Sequence, residues 1–235
     1  MQFSSRKLVD RSFTGLGLAS IALLTLALVV LLIPIVVRGF RAFVFAGTVE
    51  HRRLLEEQFG RGDRDAVREE VNRAAEARAP VYEMIAAFDR EIEAADFATA
   101  RKYASPLSEL KVHVRSLLGP FPGEPRPVLM RHQYGQNRWD RALVKLEHVL
   151  NVETYDHSNP EEMGRKVLVP RSEDFAGTSL EALFPYIQQN LREMLAPRWT
   201  FYWGFFLDKS YDAHFFGGIW PELLGTFYLT IGARS

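Results

Sequence analysis

The sequence has no cysteine among its 235 residues. That absence excludes a disulfide framework, a thiolate metal site and a cysteine nucleophile, and it fits a bacterial periplasm and a cytosol equally well. Net charge is also lacking, because 29 basic residues balance 29 acidic ones. A nucleic-acid-binding protein normally has a basic excess on one face, so we expect no nucleic-acid partner.

The motifs of enzymes and cofactor sites are missing too. The six histidines are His51, His113, His132, His148, His157 and His214. None has the spacing of a zinc site, and neither a Gly-x-Ser-x-Gly elbow nor a complete phosphate-binding loop occurs. Glu147 and His148 are neighbours, but adjacent side chains on a helix point about 100° apart, which favours a lone, partly buried histidine. We therefore predict that the protein is not an enzyme and has no catalytic residue, metal or cofactor.

Charge is absent altogether from Phe13 to Val37, a run of 25 residues. As a helix this run would be roughly 37 Å long, enough to cross a hydrocarbon core of about 30 Å. A buried core helix rarely stays uncharged beyond about 14 residues. A cleaved signal peptide would have a shorter apolar core followed by a small-x-small cleavage site. We therefore interpret the run as an uncleaved membrane anchor.

Basic residues flank the anchor on both sides and leave its orientation ambiguous. Before it stand Arg6, Lys7 and Arg11, and after it stand Arg38, Arg41, Arg52 and Arg53. Short tails obey the positive-inside tendency better than long domains do, which favours a cytoplasmic N-terminus and an outer domain. We predict a cytoplasmic tail at 1–12, a transmembrane helix at 13–37, and an α-rich α+β periplasmic domain at 38–214. A second, C-terminal apolar helix at 215–235 is predicted to be the start of a second transmembrane helix.

The first part of this domain has the patterns of helices. Asp63 is expected to cap a charged outer helix from about Arg64 to Arg78, and Pro80 to begin a second helix with a wide apolar face. Asp96 to Tyr103 is predicted to be a short helical turn, after which Ser105-Pro106 opens a further helix.

The second part has mixed patterns. Val128 to Met130 is a candidate strand, and Trp139 to Leu150 fits a helix or a strand. Asn151 to Pro160 is interpreted as a polar turn region, and Val167 to Val169 as a buried strand. Thr178 and Glu181 predict a capping box for a helix ending near Leu195, although Pro185 could instead kink its first turn or mark its start. We expect the apolar faces of Val81–Ile92, Leu107–Leu118 and Leu183–Leu195 to form one core with the Val167–Val169 strand.

Aromatic residues crowd the stretch from Pro197 to Leu207. They could belong to the domain core, but we favour the aromatic belt of a chain that returns to the bilayer. The run from Phe215 to Ala233 follows, with Glu222 as its one charge. It is only marginally long enough to be a span, and a carboxylate in a membrane normally faces protein or water.

Four short segments resemble one family of membrane proteins. They are Arg38–Phe43, Trp199–Phe201, Phe205–Asp208 and, above all, Gly217–Thr226. These segments are similar to the A-type permease subunit of bacterial phosphate ABC transporters, in the variant with an extra periplasmic domain after the first membrane helix. The resemblance covers the two ends of the chain, and related permeases share the Gly-x-x-Pro-x-Leu-x-Gly-Thr pattern.

The resemblance implies a subunit of the bacterial inner membrane that helps to import inorganic phosphate. Its implied partners are the lipid bilayer, a second permease subunit, cytoplasmic ATPase subunits and a periplasmic phosphate-binding protein. Members of the family continue through further helices and a loop that docks the ATPase, and their transport residues lie in that part, so none can be assigned here. The alternative is a single-pass membrane protein whose periplasmic domain senses a ligand or acts as a scaffold.

Overall fold

The computed structural model describes residues 3–125, 137–157, 164–208 and 218–233. They divide into two compact units, Met1–Val44 and Phe45–Ser235. The predicted strand at Val128–Met130 lies outside the described residues, as do His132 and His214.

The first unit is dominated by one helix, α1 (Phe3–Phe40). Its Gly15–Phe40 portion is long and apolar enough to cross a membrane, and none of that portion is buried. The hydroxyl of Thr25 donates to the carbonyl of Ile21 at 2.8 Å, so this polar group is satisfied inside the helix, as a lipid environment requires. Within the described residues no other helix passes the same test of length and composition.

The second unit is rich in helices and contains two small sheets. The helices are α2 (Val49–Phe59), α3 (Arg64–Ala94), α4 (Phe97–Leu118), α5 (Trp139–Leu150), α6 (Leu183–Leu195), α7 (Gly204–Leu207) and α8 (Trp220–Gly232). The strands are β1 (Val44–Gly47), β2 (Asn151–Asp156), β3 (Arg165–Pro170) and β4 (Arg198–Phe201). One sheet pairs β1 with β4, and the other pairs β2 with β3.

Two prolines lie within helices that the sequence predicts to be broken there. Asp63 caps α3 as predicted, through its carboxylate and the N–H groups of residues 65 and 66, but α3 continues through Pro80 to residue 94. Likewise α4 starts directly after its cap Asp96 and runs through Pro106. A proline inside a helix costs about 3 kcal/mol, and here packing offsets that cost because the α3 and α4 faces beside the prolines are fully buried.

In the second half of the domain the structure differs from three further predictions. Trp139–Leu150 is a helix, and Asn151–Asp156, predicted to be a turn region, is a strand that pairs antiparallel with β3 in the register Val152↔Val169. The Val167–Val169 strand exists but is not buried, because within the described residues this two-stranded ribbon has no further strand beside it. The expected capping box does not form: the Thr178 hydroxyl donates to Phe175, and Glu181 accepts from the N–H of Gly177.

The main core lies among α3, α4, α5 and α6, so the three predicted helical faces do meet. Its fully buried large side chains include Ile85, Leu110, Leu117, Phe175, Ile187 and Met194. Pro185 lies in the first turn of α6, which begins at Leu183 after a 3-10 turn at Ser179–Ala182. A second, smaller cluster consists of Phe45, Leu54 and Tyr202 and lies where the first and last parts of the domain come together.

Candidate functional site

The beginning and the end of the domain meet in the sheet of β1 and β4. Around this sheet the structure places most of the buried charged residues, and α2 supplies several of them. Three connected groups make up this region: a buried ion cluster, a carboxylate shared by two arginines, and a clasp at the end of the domain.

The buried ion cluster is centred on Glu50, whose side chain is 1% exposed. Arg78 Nη1 and Arg53 Nη2 each lie 2.8 Å from one of its two carboxylate oxygens. Arg78 also donates to the carbonyls of Met194 and Leu118, at 2.9 and 3.1 Å, in the last turns of α6 and α4. Helix ends leave such carbonyls without intrahelical partners, so Arg78 closes two helices at once.

The shared carboxylate belongs to Glu70, on α3. Arg52 Nε and Arg198 Nη1 each approach a Glu70 oxygen to 2.6 Å. Arg52 also donates to the carbonyl of Gly47 at 3.0 Å and to that of Ala196 at 2.7 Å. Ala196 has a φ of 42°, a left-handed conformation that is unfavourable for a residue with a Cβ, and Arg52 helps to hold it. One arginine therefore joins α2, β1, α3 and the end of α6.

A third group of contacts, which we name the clasp, consists of Arg61, Tyr202, Gly204, Asp208 and Gly218. Arg61 donates two hydrogen bonds to the Asp208 carboxylate, at 2.6 and 2.8 Å, and the Tyr202 hydroxyl donates a third at 2.7 Å. Burial alone would raise the pKa of Asp208, but these hydrogen bonds and the Arg61 charge outweigh it and lower that pKa. Asp208 is thus held ionised at the point where the domain passes toward α8.

Two glycines allow the clasp to close. A Cβ at Gly204 would overlap the Asp208 carboxylate and the Tyr202 ring. A Cβ at Gly218 would lie 2.5 Å from the carbonyl oxygens of both Gly204 and Asp208. The N–H of Ile219 donates to the carbonyl of Phe205 at 2.9 Å, so the start of α8 is bonded directly to α7. At both positions the neighbouring atoms lie so close that only glycine, which has no side chain, fits.

The structure brings together parts of the segments that resemble the permease family. Phe205 to Leu207 lie in α7, and Asp208 and Gly218 belong to the clasp. Residues 220 to 226 form the first part of α8, while Gly217 lies outside the described residues. Glu222, the one charge of its run, is exposed in the first turn of α8. The aromatic stretch is divided, because Tyr202 is buried whereas Trp199 and Trp203 are 82% and 66% exposed.

Among the histidines that the structure describes, His51 is the buried one, and sequence reasoning missed it. Its ring is 1% exposed and lies edge-on between Phe45 and Tyr202, with centroids at 5.0 and 5.7 Å. Burial lowers its pKa to about 3, and the charges of Arg52 and Arg138 act in the same direction. The prediction of a partly buried His148 is wrong: this ring is exposed and stacks on His113 at 5.9 Å.

A groove of about 470 Å³ lies beside Glu70. Its charged lining residues are Glu70, Arg73, Glu76, Glu193 and Arg198, and three alanines form the rest. Both signs of charge are present, so the lining favours no one class of ligand. In the described part of the chain, no group of three His, Asp or Glu side chains is arranged to hold a metal ion.

No protein-family model, no curated protein and no solved structure matches this chain. The relation to phosphate permeases therefore stays a prediction from the four short segments.

Proposed function

We propose that this chain is the N-terminal part of a permease subunit of an ABC transporter that imports inorganic phosphate into bacteria. In this proposal α1 and the segment that includes α8 are consecutive membrane helices of the inner membrane. The domain between them is then a periplasmic insertion, and the second permease subunit, the ATPase subunits and the phosphate-binding protein are the partners.

The pairing of β1 with β4 is the observation that supports this arrangement most strongly. β1 begins four residues after α1 ends, and β4 ends shortly before α7 and α8. A domain inserted between two adjacent membrane helices must return its chain close to where it entered, because both helices start from the same membrane surface. A domain that simply followed a single anchor would have no such requirement.

The surface of α8 is compatible with a lipid environment. Apart from the partly buried Leu224, every residue from Trp220 to Ala233 is exposed. The hydroxyls of Thr226 and Thr230 donate to carbonyls one turn earlier, at 2.9 and 2.7 Å, so these polar groups are satisfied inside the helix. Its 13 residues would cover about 20 Å, the first part of a span.

A single-pass protein with a sensing or scaffolding domain is the second candidate. The exposed carboxylate of Glu222 favours it, since such a group is costly in hydrocarbon.

Topology mapping separates the two candidates. A reporter fused after Ser235 gives a cytoplasmic signal if the chain crosses the membrane twice, and a periplasmic signal if it crosses once. The genomic neighbourhood provides an independent test. A downstream open reading frame for the remaining helices, beside genes for an ATPase and a phosphate-binding protein, supports the permease, and a neighbourhood without transporter genes contradicts it.

A further inference from the structure

Exposed and partly exposed apolar side chains are concentrated at the end of the domain. We name this surface the aromatic patch and define it by Trp199, Phe201, Trp203, Phe206 and Leu207. The ring of Trp203 lies 4.5 Å from that of Phe201 and 6.4 Å from that of Phe206. Trp199 and Phe201 are two residues apart on β4 and so share one face of the strand. Contiguous apolar surface of this kind on a folded domain marks a site of contact with another apolar phase.

We propose that the aromatic patch docks on the boundary between headgroups and acyl chains of the bilayer that α8 enters. This inference rests on the membrane topology in the proposed function. Its first support is continuity with α8. Phe205, within the patch sequence, accepts the hydrogen bond from Ile219, so the patch is held at the start of a helix whose side chains are almost all exposed. The surroundings that cover α8 therefore cover the adjoining patch as well.

The chemistry of the patch fits the interface better than the hydrocarbon core. Indole rings combine a large apolar surface with a polar N–H, and they concentrate at the level of the headgroups. Two guanidinium groups flank the patch, those of Arg198 and Arg61, whose side chains are 63% and 43% exposed. Their acidic partners Glu70 and Asp208 are 7% exposed or less, so in these two pairs the charged group that reaches the surface is the guanidinium. Anionic lipid headgroups match that charge.

The same charges weigh against a second copy of the chain as the occupant. A two-fold symmetric interface would place the patch of one protomer against the identical patch of its partner. The exposed arginines at its rim would then face each other, and like charges across an interface are unfavourable. A lipid surface with anionic headgroups complements both parts of the patch, because acyl chains contact its apolar centre and the headgroups contact its basic rim.

Fluorescence of single tryptophans in the full chain tests this inference. The chain has four tryptophans, so three are replaced by phenylalanine to leave only Trp199, only Trp203 or, as a control, only Trp139. Trp139 packs against the main core and is separate from the patch. Each variant is reconstituted into nanodiscs of phosphatidylcholine and phosphatidylglycerol, with bromine either near the headgroup or near the chain end. We expect Trp199 and Trp203 to lose most of their emission to the shallow bromine and less to the deep one, with Trp139 unaffected.

Aqueous iodide and one further variant complete the test. If iodide quenches Trp199 and Trp203 and bromine does not, both rings lie in water, and this result would overturn the inference. Protection from both quenchers would overturn it too, in favour of a protein partner. A tryptophan-free chain with Phe227→Trp reports separately on α8. If deep bromine quenches that probe while Trp199 and Trp203 stay unquenched, α8 lies in the bilayer but the aromatic patch does not. That result would reject the docking and leave the second span in place. An unquenched Phe227→Trp with a quenched patch would reject the second span and leave the docking supported.

Discussion

The buried His51 makes the stability of the domain sensitive to mild acid. Its pKa of about 3 in the folded protein compares with 6.5 for an unperturbed histidine. A lowered pKa means that the unfolded chain binds the proton more readily, so stability is complete above pH 6.5 and is lost as pH falls toward 3. At pH 5 the free energy of unfolding should be lower than at pH 7 by about 2 kcal/mol, from about 1.4 kcal/mol per pH unit over about 1.5 units.

The carboxyl groups with lowered pKa values titrate below this pH window, whereas one other histidine titrates within it. The lowered pKa of Asp208 affects stability only near and below 3.8, the ordinary value for aspartate. Burial also lowers the pKa of His113, as do the charges of Arg171, His148 and Lys145, and this acts in the same direction as His51. Replacing His51 should therefore remove most, though not all, of the pH dependence between pH 7 and pH 5.

Thermal melting of the full chain in detergent, followed by near-ultraviolet circular dichroism, measures this effect. For a domain of this size a loss of about 2 kcal/mol corresponds to a fall of about 4–8 °C in Tm. His51→Asn should lower the Tm at pH 7 but flatten its change with pH. The matched control His157→Asn, at an exposed histidine, should keep the wild-type pH dependence. A His51→Asn protein whose Tm falls with pH as steeply as that of wild type would refute this account of His51.

Three further predictions concern the clasp and the core. Asp208→Asn should lower the free energy of unfolding by about 2 kcal/mol, measured by chemical denaturation, since it weakens buried charge-assisted hydrogen bonds; an unchanged midpoint would contradict this. Gly218→Ala should expose the start of α8 to limited proteolysis, whereas Gly225→Ala, which has open space around it, should not; equal cleavage of both variants would count against the clasp. Leu110→Asp should abolish the cooperative melt, because Leu110 is fully buried, while Arg68→Asp on the exposed surface should stay within about 0.5 kcal/mol; a wild-type melt for Leu110→Asp would show that this core is absent.

The helical core could be predicted because it follows from periodic spacing along the sequence. The faces around Ile85, Leu110 and Ile187 repeat at three and four residues, and all three side chains are buried. Helix boundaries are harder to predict from the sequence. Pro80 and Pro106 are strong local signals for a helix break, but tertiary packing keeps both prolines inside helices. Only one strand of the β2–β3 ribbon can be predicted from the sequence. The apolar run in β3 indicates a strand, whereas the polar residues of β2 have the pattern of a turn.

The candidate site could not be predicted from the sequence. Arg61 and Asp208 are 147 residues apart, and no local periodicity links a surface arginine to one particular carboxylate at that distance. Gly204 and Gly218 are visible in the sequence, but only the folded backbone shows that neither position leaves room for a Cβ. The sequence therefore points to the segment around Asp208 and Gly218, but it does not reveal the contacts that this segment makes.

The contacts of α2 also bear on the membrane orientation proposed for the uncharged run of residues 13–37. Basic residues counted along the sequence are more numerous after the uncharged run of residues 13–37 than before it, but that count includes Arg52 and Arg53. The structure places both of these arginines in ion pairs inside the folded domain, with Glu70 and Glu50, and long domains translocate largely regardless of their charge. Outside the domain, three basic residues lie before the uncharged run and two, Arg38 and Arg41, lie directly after it. The corrected count favours a cytoplasmic N-terminus, the orientation that the permease proposal requires.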